Sequence, residues 1–311
     1  MKKLLIFLIK NVLGSFLFFF GGVHIIKYLL RKKRYYIVLN YHNFSRYNNY
    51  KINRGDILEI GYERNFEKQV CFLKKHFQFC YPEEFYCKNT ARGIINILLT
   101  FDDGYKDNYD IAYPILKKYK IPAVFFIVSS VPNTNSWLWH DKVRFLVTKN
   151  KLDAIEAEKE LVKLNAGKKM NSKFIEKIDE LSKEFPDKRL MMNWNEIKEL
   201  AENGYVIGSH THTHSPILFL NSINRKKELQ SSIKIISEKI NKTVSQFAYP
   251  NGLYDNDCDE LMFESGIKIS YTTDKGFNQK NDSFLRIKRI GVNASDSIGV
   301  LLLKLFLNKD K

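Results

Sequence analysis

The chain has 311 residues, 44% hydrophobic and 14% aromatic, which fits one large α/β domain with an appendage and is ample for a core. Cys71, Cys80, Cys87 and Cys258 show no Cys-x-x-Cys spacing, so neither a disulfide framework nor a structural zinc is expected. The net charge of +16 comes mostly from lysine, and no recognition helix, finger or stacking platform accompanies it; nucleic acid is therefore not the expected partner, and a basic face toward anionic lipid headgroups is.

Residues 4–30 come first. An apolar run over 4–9 is interrupted by Lys10 and Asn11 and resumes over 12–20. As one helix this segment would be about 40 Å long, enough to cross a bilayer with tilt. No Ala-x-Ala-like cleavage site is evident, so an uncleaved membrane-associated segment over residues 1–34 is expected, folding apart from a catalytic domain over 35–311. Lys2 and Lys3 precede it; Lys27 and Arg31-Lys32-Lys33-Arg34 follow. The positive-inside tendency then places the domain on the cytoplasmic face, as would a helix lying in the interface, with export as the alternative.

A strand over 36–41 delivers His42, and a polar loop follows over 43–56. Phe66, Val70, Leu73 and Phe77 share one face of a helix over 66–77. Residues 94–99 read as a buried strand, 110–119 as a helix and 123–128 as the next strand. The charged stretch 151–187 reads as a helical insertion, with Ile155, Leu161, Ile175, Ile178 and Leu181 as its apolar positions; it forms one wall of a cleft or shields an edge. A helix over 196–203 stops at Gly204 before a strand over 205–207, and a longer helix covers 222–239. The apolar run 298–307 is a closing helix or a second membrane contact. Strands alternating with helices imply a parallel sheet.

The chemistry concentrates in two places. Thr100-Phe101-Asp102-Asp103-Gly104-Tyr105 sets two carboxylates at the end of a buried strand. About a hundred residues later comes Gly208-Ser209-His210-Thr211-His212-Thr213-His214. A hydrolytic divalent metal needs roughly three protein ligands and an open position. Asp103, His210 and His214 would supply one oxygen and two nitrogens. Asp102 would be the general base toward a water whose pKa the metal lowers to about 7. On a strand all three histidines share a face, whereas on a helical turn, or where the strand ends and turns back, His210 and His214 meet. Pro216 favours the turn, which makes 210 and 214 the expected pair and His212 the spare.

Thr100 to Tyr105, with Lys106-Asp107-Asn108-Tyr109 and Ile121 to Phe126 behind it, resembles the first motif of the polysaccharide deacetylase family, the NodB-homology carbohydrate esterases. Residues 208–216 resemble the second motif, and Phe247-Ala248-Tyr249-Pro250-Asn251-Gly252 the third, in the form typical of the biofilm-polysaccharide branch. The resemblance covers roughly residues 36–295. It implies a distorted (β/α) barrel, with Asp102 as base and Asp103, His210 and His214 around a divalent metal, zinc first and Co, Ni, Mn or Fe as alternatives. The backbone N–H of Tyr105 would face the oxyanion. The implied reaction removes the acetyl group from an N-acetylamino sugar, in an envelope polysaccharide or a lipid-linked precursor. The alternatives are hydrolysis of another amide, such as a formyl group on a lipid-linked sugar, and a degenerate glycan-binding protein.

Two departures stand out. Ala248 occupies the place where many members carry an arginine beside the base. Arg289 is the substitute, since its fork fits a carboxylate, or else it merely caps a strand. No histidine follows His214, although the leaving amine needs a proton. Of His24, His42, His76 and His140, His42 is the expected general acid, with its ring across the pocket from Asp102. His140 is expected as a cleft-lining or core residue.

Overall fold

The computed structural model describes residues 2–45, 61–86, 95–181 and 189–309. Most of the expected loop over 43–56, Cys87, residue 94 and residues 182–187 of the insertion lie outside the described residues.

The chain opens with helices α1 (Lys2–Phe19) and α2 (Gly22–Leu30). The single long helix expected here does not form. The pair bends by 77° at the break, where Gly21 takes a left-handed φ of 75° that ends the first helix. Among the described residues no single helix is long and apolar enough to cross a membrane.

Strand β1 (Tyr35–Tyr41) follows, then a small parallel pair, β2 (Phe44–Ser45) and β3 (Gly61–Tyr62), helix α3 (Glu63–His76) and the short β4 (Gln78–Phe79). Next come β5 (Ile95–Phe101), a π-helical turn over Asn108–Ala112 continuing into α4 (Tyr113–Tyr119), and β6 (Ala123–Ile127). Three helices follow: α5 (Trp139–Thr148), which precedes the stretch expected as an insertion, then α6 (Ala154–Asn165) and α7 (Ser172–Glu180) within it. The chain then alternates through α8 (Trp194–Glu202), β7 (Val206–Ser209), α9 (Ser222–Ile240), β8 (Gln246–Ala248), α10 (Asp257–Glu264), β9 (Ile269–Tyr271), β10 (Ile290–Gly291) and α11 (Ile298–Leu307).

All strand pairs of the main sheet are parallel, in the order β10-β1-β5-β6-β7-β8-β9, with β4 paired to β5. The sheet curls until its ends meet through residues 287–291. The Thr272 N–H bonds to the Ile287 carbonyl at 2.9 Å, and Leu39 of β1 pairs with Ile290. Alternation along the strands splits the core into two layers. Tyr36, Val38, Leu98, Val124, Phe126, Ala248 and Tyr271 fill the curled interior, while Ile37, Leu39, Ile97, Leu99 and Phe101 face the outer helices.

The apolar face expected for the helix over 66–77 is present: Phe66, Val70 and Leu73 are fully buried on α3. The insertion differs from expectation. Ile155 and Ile175 are exposed, whereas Ile178 is buried as expected, together with Ala157, Leu164 and Phe174. The reason is the partner surface: α6 and α7 turn toward α5, where Val143, Leu146 and Val147 complete a separate small core. The amino-terminal segment does not stand apart, as a boundary at 34/35 would require. Val23, Ile26 and Leu30 of α2 are buried in the main outer core, and α1 packs against α11.

Candidate active site

Strands β1 and β5 run parallel and in register, with Tyr41 opposite Phe101. The residues that follow, His42 and Asp102, therefore end side by side. His42 Nε2 lies 3.9 Å from Asp102 Oδ2. The expected placement of His42 across the pocket from Asp102 is corrected by this register. The ring is still within reach of the site, and nearly half of its side-chain surface stays open to the cleft.

The inner layer turns polar at the carboxyl ends of the strands. Arg289, from the segment that closes the sheet, is 1% exposed and places both ends of its fork on Asp102: Nη1 to Oδ1 at 2.7 Å and Nη2 to Oδ2 at 2.8 Å. Its Nε donates to the Thr272 carbonyl at 2.7 Å, which fixes the plane of the guanidinium. Asn40, one residue before the end of β1, donates to Asp102 Oδ2 at 3.0 Å. Burial disfavours the charged form of Asp102, but Arg289, His210 and His42 outweigh it and hold the carboxyl below its usual range. Between the two readings of Arg289, the geometry is that of the fork on the carboxylate.

Asp103 has a left-handed φ of 73°, which sends its side chain away from that of Asp102 and toward the histidine loop. The His210 N–H bonds to the Ile127 carbonyl at 2.9 Å, extending the β6–β7 pairing. Thr211 and His214 both take positive φ, and the resulting turn brings the rings of His210 and His214 to 4.9 Å between centroids. Glu228 of α9 organises this loop by accepting from the backbone N–H groups of His212 and Thr213, both at 2.9 Å. The side chain of His212 turns to Ser129 instead, with Nδ1 at 2.9 Å from the hydroxyl.

Asp103 Oδ1 lies 3.4 Å from His210 Nε2 and 3.2 Å from His214 Nε2, and all three residues are buried. Ligands held about 2.0–2.1 Å from a tetrahedral metal lie about 3.3 Å from one another, so the donor set fits a divalent ion. His210 Nδ1 is 2.8 Å from the Ala248 carbonyl, which places its hydrogen there and leaves Nε2 free as a donor to a metal. Burial lowers the His214 ring to about 4, keeping it neutral, the form a ligand needs.

The cleft, of about 330 Å³, is completed by Trp139, His140, Val143 and Arg144 of α5 and by Leu161 of α6. Most of that wall is therefore α5, and the stretch expected as an insertion over 151–187 contributes Leu161 to it. His140 is a cleft residue with more contacts than the sequence indicated. Its Nε2 is 2.8 Å from the Tyr105 hydroxyl and 3.5 Å from Asp103 Oδ2. The Tyr105 hydroxyl also meets Asp141 at 3.0 Å, and Arg144 pairs with Asp141 at 3.2 Å. This chain of contacts ties α5 to the carboxylate of Asp103. His24 and His76 belong to α2 and the end of α3 and do not line the cleft.

Sequence reasoning also missed the brace under His42. Asn108 donates to the His42 carbonyl at 2.7 Å, and Asp107 accepts from the Phe44 N–H at 2.6 Å. Both residues stand directly behind the two-carboxylate motif, and that proximity was the only signal available.

A family model described as polysaccharide deacetylase matches residues 90–270, more than half of the chain. The YxkH protein of Bacillus subtilis is 24% identical over 197 residues, covering 63% of this chain; the match spans about half, 51%, of that protein's length. A poly-beta-1,6-N-acetyl-D-glucosamine N-deacetylase of Staphylococcus aureus strain MSSA476 is 24% identical over 283 residues, 85% of this chain and 81% of that one. Among solved structures, the Streptococcus pyogenes deacetylase PplD in complex with acetate superposes with a TM-score of 0.62 at 19% identity, covering 87% of this chain and 98% of that one. IcaB from Ammonifex degensii gives 0.60 at 21% identity, covering 88% and 98%. At these identities the structural likenesses show a shared fold.

Proposed function

The chain belongs to the polysaccharide deacetylase family, hydrolases of carbon–nitrogen bonds other than peptide bonds, and from that premise we propose that it removes the acetyl group from an N-acetylamino sugar at the Asp102–Asp103 cleft. The observation that carries the reading is a buried, forked carboxylate, Asp102, standing beside an Asp103-His210-His214 donor set. The poly-N-acetylglucosamine substrate in the name of the Staphylococcus relative supports an N-acetylated glycan here.

Asp103, His210 and His214 would hold a divalent metal, zinc first and Co, Ni, Mn or Fe as alternatives. Such an ion would polarise the acetamide carbonyl and acidify a water beside it. Asp102 takes the proton from the attacking water. The Arg289 fork keeps Asp102 ionised and aimed, at the cost of some basicity. The Tyr105 backbone N–H faces the oxygen on which negative charge develops. His42, beside Asp102 and open to the cleft, gives a proton to the departing amine nitrogen. Standing next to the base, it can receive the proton that Asp102 has just taken. His140 positions Asp103 from α5. The apolar amino-terminal pair supports action at a membrane surface, where a lipid-linked sugar would be presented. The basic run 31–34 favours the cytoplasmic side.

The test is acetate release from N-acetylglucosamine oligomers by the metal-loaded protein. Asp102→Asn should retain metal and lose on the order of 10²–10⁴ in turnover. Near-normal activity in that variant would remove Asp102 as base. His42→Ala should keep its metal and lose the basic limb of the pH–rate profile. If His140→Ala loses that limb instead, the proton donor is His140.

A further inference from the structure

We propose that α1 and α2 form an in-plane foot that seats this domain on an anionic lipid surface, and that they do not span the bilayer. The inference deepens the membrane placement above and is independent of the deacetylase chemistry.

Three observations carry it. The first is that α1 is clamped to the domain from Asn11 to Phe18. A Cβ on Gly14 would lie 2.5 Å from the Gly299 carbonyl carbon, and one on Gly299 would lie 2.4 Å from the corresponding atom of Gly14. The backbones of α1 and α11 therefore touch, and only glycine on both sides permits it. Asn11 accepts from the Ser297 hydroxyl at 3.3 Å, and Phe18 meets Phe72 of α3 at 6.3 Å between ring centroids. Leu301, Leu302 and Leu305 of α11 are fully buried in the main core. A helix packed lengthwise on a core helix cannot cross hydrocarbon without drawing the domain in with it.

The second observation is the opposite side of the same helix. Val12, Phe16, Phe19 and Phe20 are 59–79% exposed, and Tyr28 and Leu29 continue the surface onto α2 at 63% and 44%. A cluster of exposed aromatic and aliphatic side chains of this kind marks an interaction surface. The bend at Gly21 matters here: α2 turns Val23, Ile26 and Leu30 into the core while keeping Tyr28 and Leu29 outside.

The third observation is charge. Lys10 on α1, Lys27 on α2, and Arg31, Lys32 and Lys33 directly after α2 are all exposed. Aromatic and aliphatic residues flanked by lysine and arginine are what a helix lying at the headgroup boundary of an anionic leaflet presents. An aqueous partner protein with a matching apolar face gains nothing from five cations around it unless it is itself acidic, whereas an anionic leaflet satisfies both features at once.

The experiment uses the full chain with an amino-terminal epitope tag, mixed with preformed vesicles of pure phosphatidylcholine or of phosphatidylcholine with one-quarter phosphatidylglycerol. Flotation should recover the protein with the anionic vesicles. Phe16→Glu with Phe19→Glu should weaken that binding at least tenfold. Both side chains are exposed, so the metal content of this variant should match that of the parent, and a variant that loses its metal is replaced by Val12→Glu with Phe20→Glu. Lys32→Glu with Lys33→Glu should weaken binding to the anionic vesicles and leave any binding to the neutral ones unchanged. Protease added outside should remove the tag completely. A protected tag means a spanning helix and overturns the proposal. So does equal binding by the Phe variants. A dimer in vesicle-free solution that the Phe variants dissociate, with no vesicle binding by the parent, assigns the face to a second copy and overturns it as well.

Discussion

Arg289 keeps Asp102, the proposed base, ionised, and its removal has two separable consequences. The fork supplies two hydrogen bonds of 2.7 and 2.8 Å to a carboxylate that is 2% exposed. Arg289→Met leaves that charge buried with Asn40, His210 and His42 as its remaining favourable neighbours. Breaking a buried pair by deleting one partner typically costs about 3–5 kcal/mol. Burial, with its largest counterweight gone, then raises the Asp102 carboxyl, so the acid limb of the pH–rate profile should move to higher pH. An unmoved limb would show that Arg289 does not set the charge of the base. Asp107 offers a second test at this scale. Burial pushes its carboxyl up to about 8 despite the Phe44 N–H bond. The folded chain therefore holds a proton that the unfolded chain releases near 4, and stability should fall as pH rises from about 4 through about 8. Asp107→Asn keeps an acceptor for Phe44 and removes the titration, so its melting temperature should vary less over that range than that of the parent.

Whole elements, more than individual side chains, decide where the site residues meet. The in-register pairing of β1 with β5 sets His42 next to Asp102, and the segment between β9 and β10 reaches back to deliver Arg289. The α1–α11 contact is a third such device. Gly299→Leu places a side chain where Gly14 backbone atoms lie within 2.5 Å of even a Cβ. Overpacking of this kind typically costs about 1–3 kcal/mol and should lift α1 off the domain. Limited proteolysis should then cut within residues 2–19 while the parent resists, and a variant as resistant as the parent would disprove the close crossing.

At the scale of the molecule, the amino-terminal helices belong to the domain they precede. Deleting residues 1–34 removes Val23, Ile26 and Leu30 from the main core and uncovers one side of α11. Burial of each such side chain is worth about 1.5–3 kcal/mol, so the truncated chain should be several kcal/mol less stable and prone to aggregate. Denaturant unfolding of the two forms checks this. Equal stability would return the boundary to 34/35, as the sequence alone suggested. The net charge of +16 is also a property of the whole chain, and it favours any acidic surface the protein meets.

By itself the sequence determined the local facts. Asp102 and Asp103 stand at the end of a buried β-branched and aliphatic run, and His210 and His214 sit on a turn. The alternation of strand and helix dictates a parallel sheet, because each of these depends on residues within a few positions of one another. The distant facts waited for the tertiary structure. Sequence spacing cannot say that Arg289 lies on Asp102, 187 positions away, instead of capping a strand; the closure of the sheet decides it. Nor can it say on which side of the pocket His42 stands, since that is set by the β1–β5 register. The periodicity of α6 and α7 was legible, but which apolar residues face inward depends on where α5 lies. The length and apolar content of residues 4–30 fit a spanning helix equally well. Only the contact of two glycine backbones, Gly14 on Gly299, and a left-handed Gly21 lay that segment along the domain, because close approach and backbone bend are properties of three-dimensional neighbours.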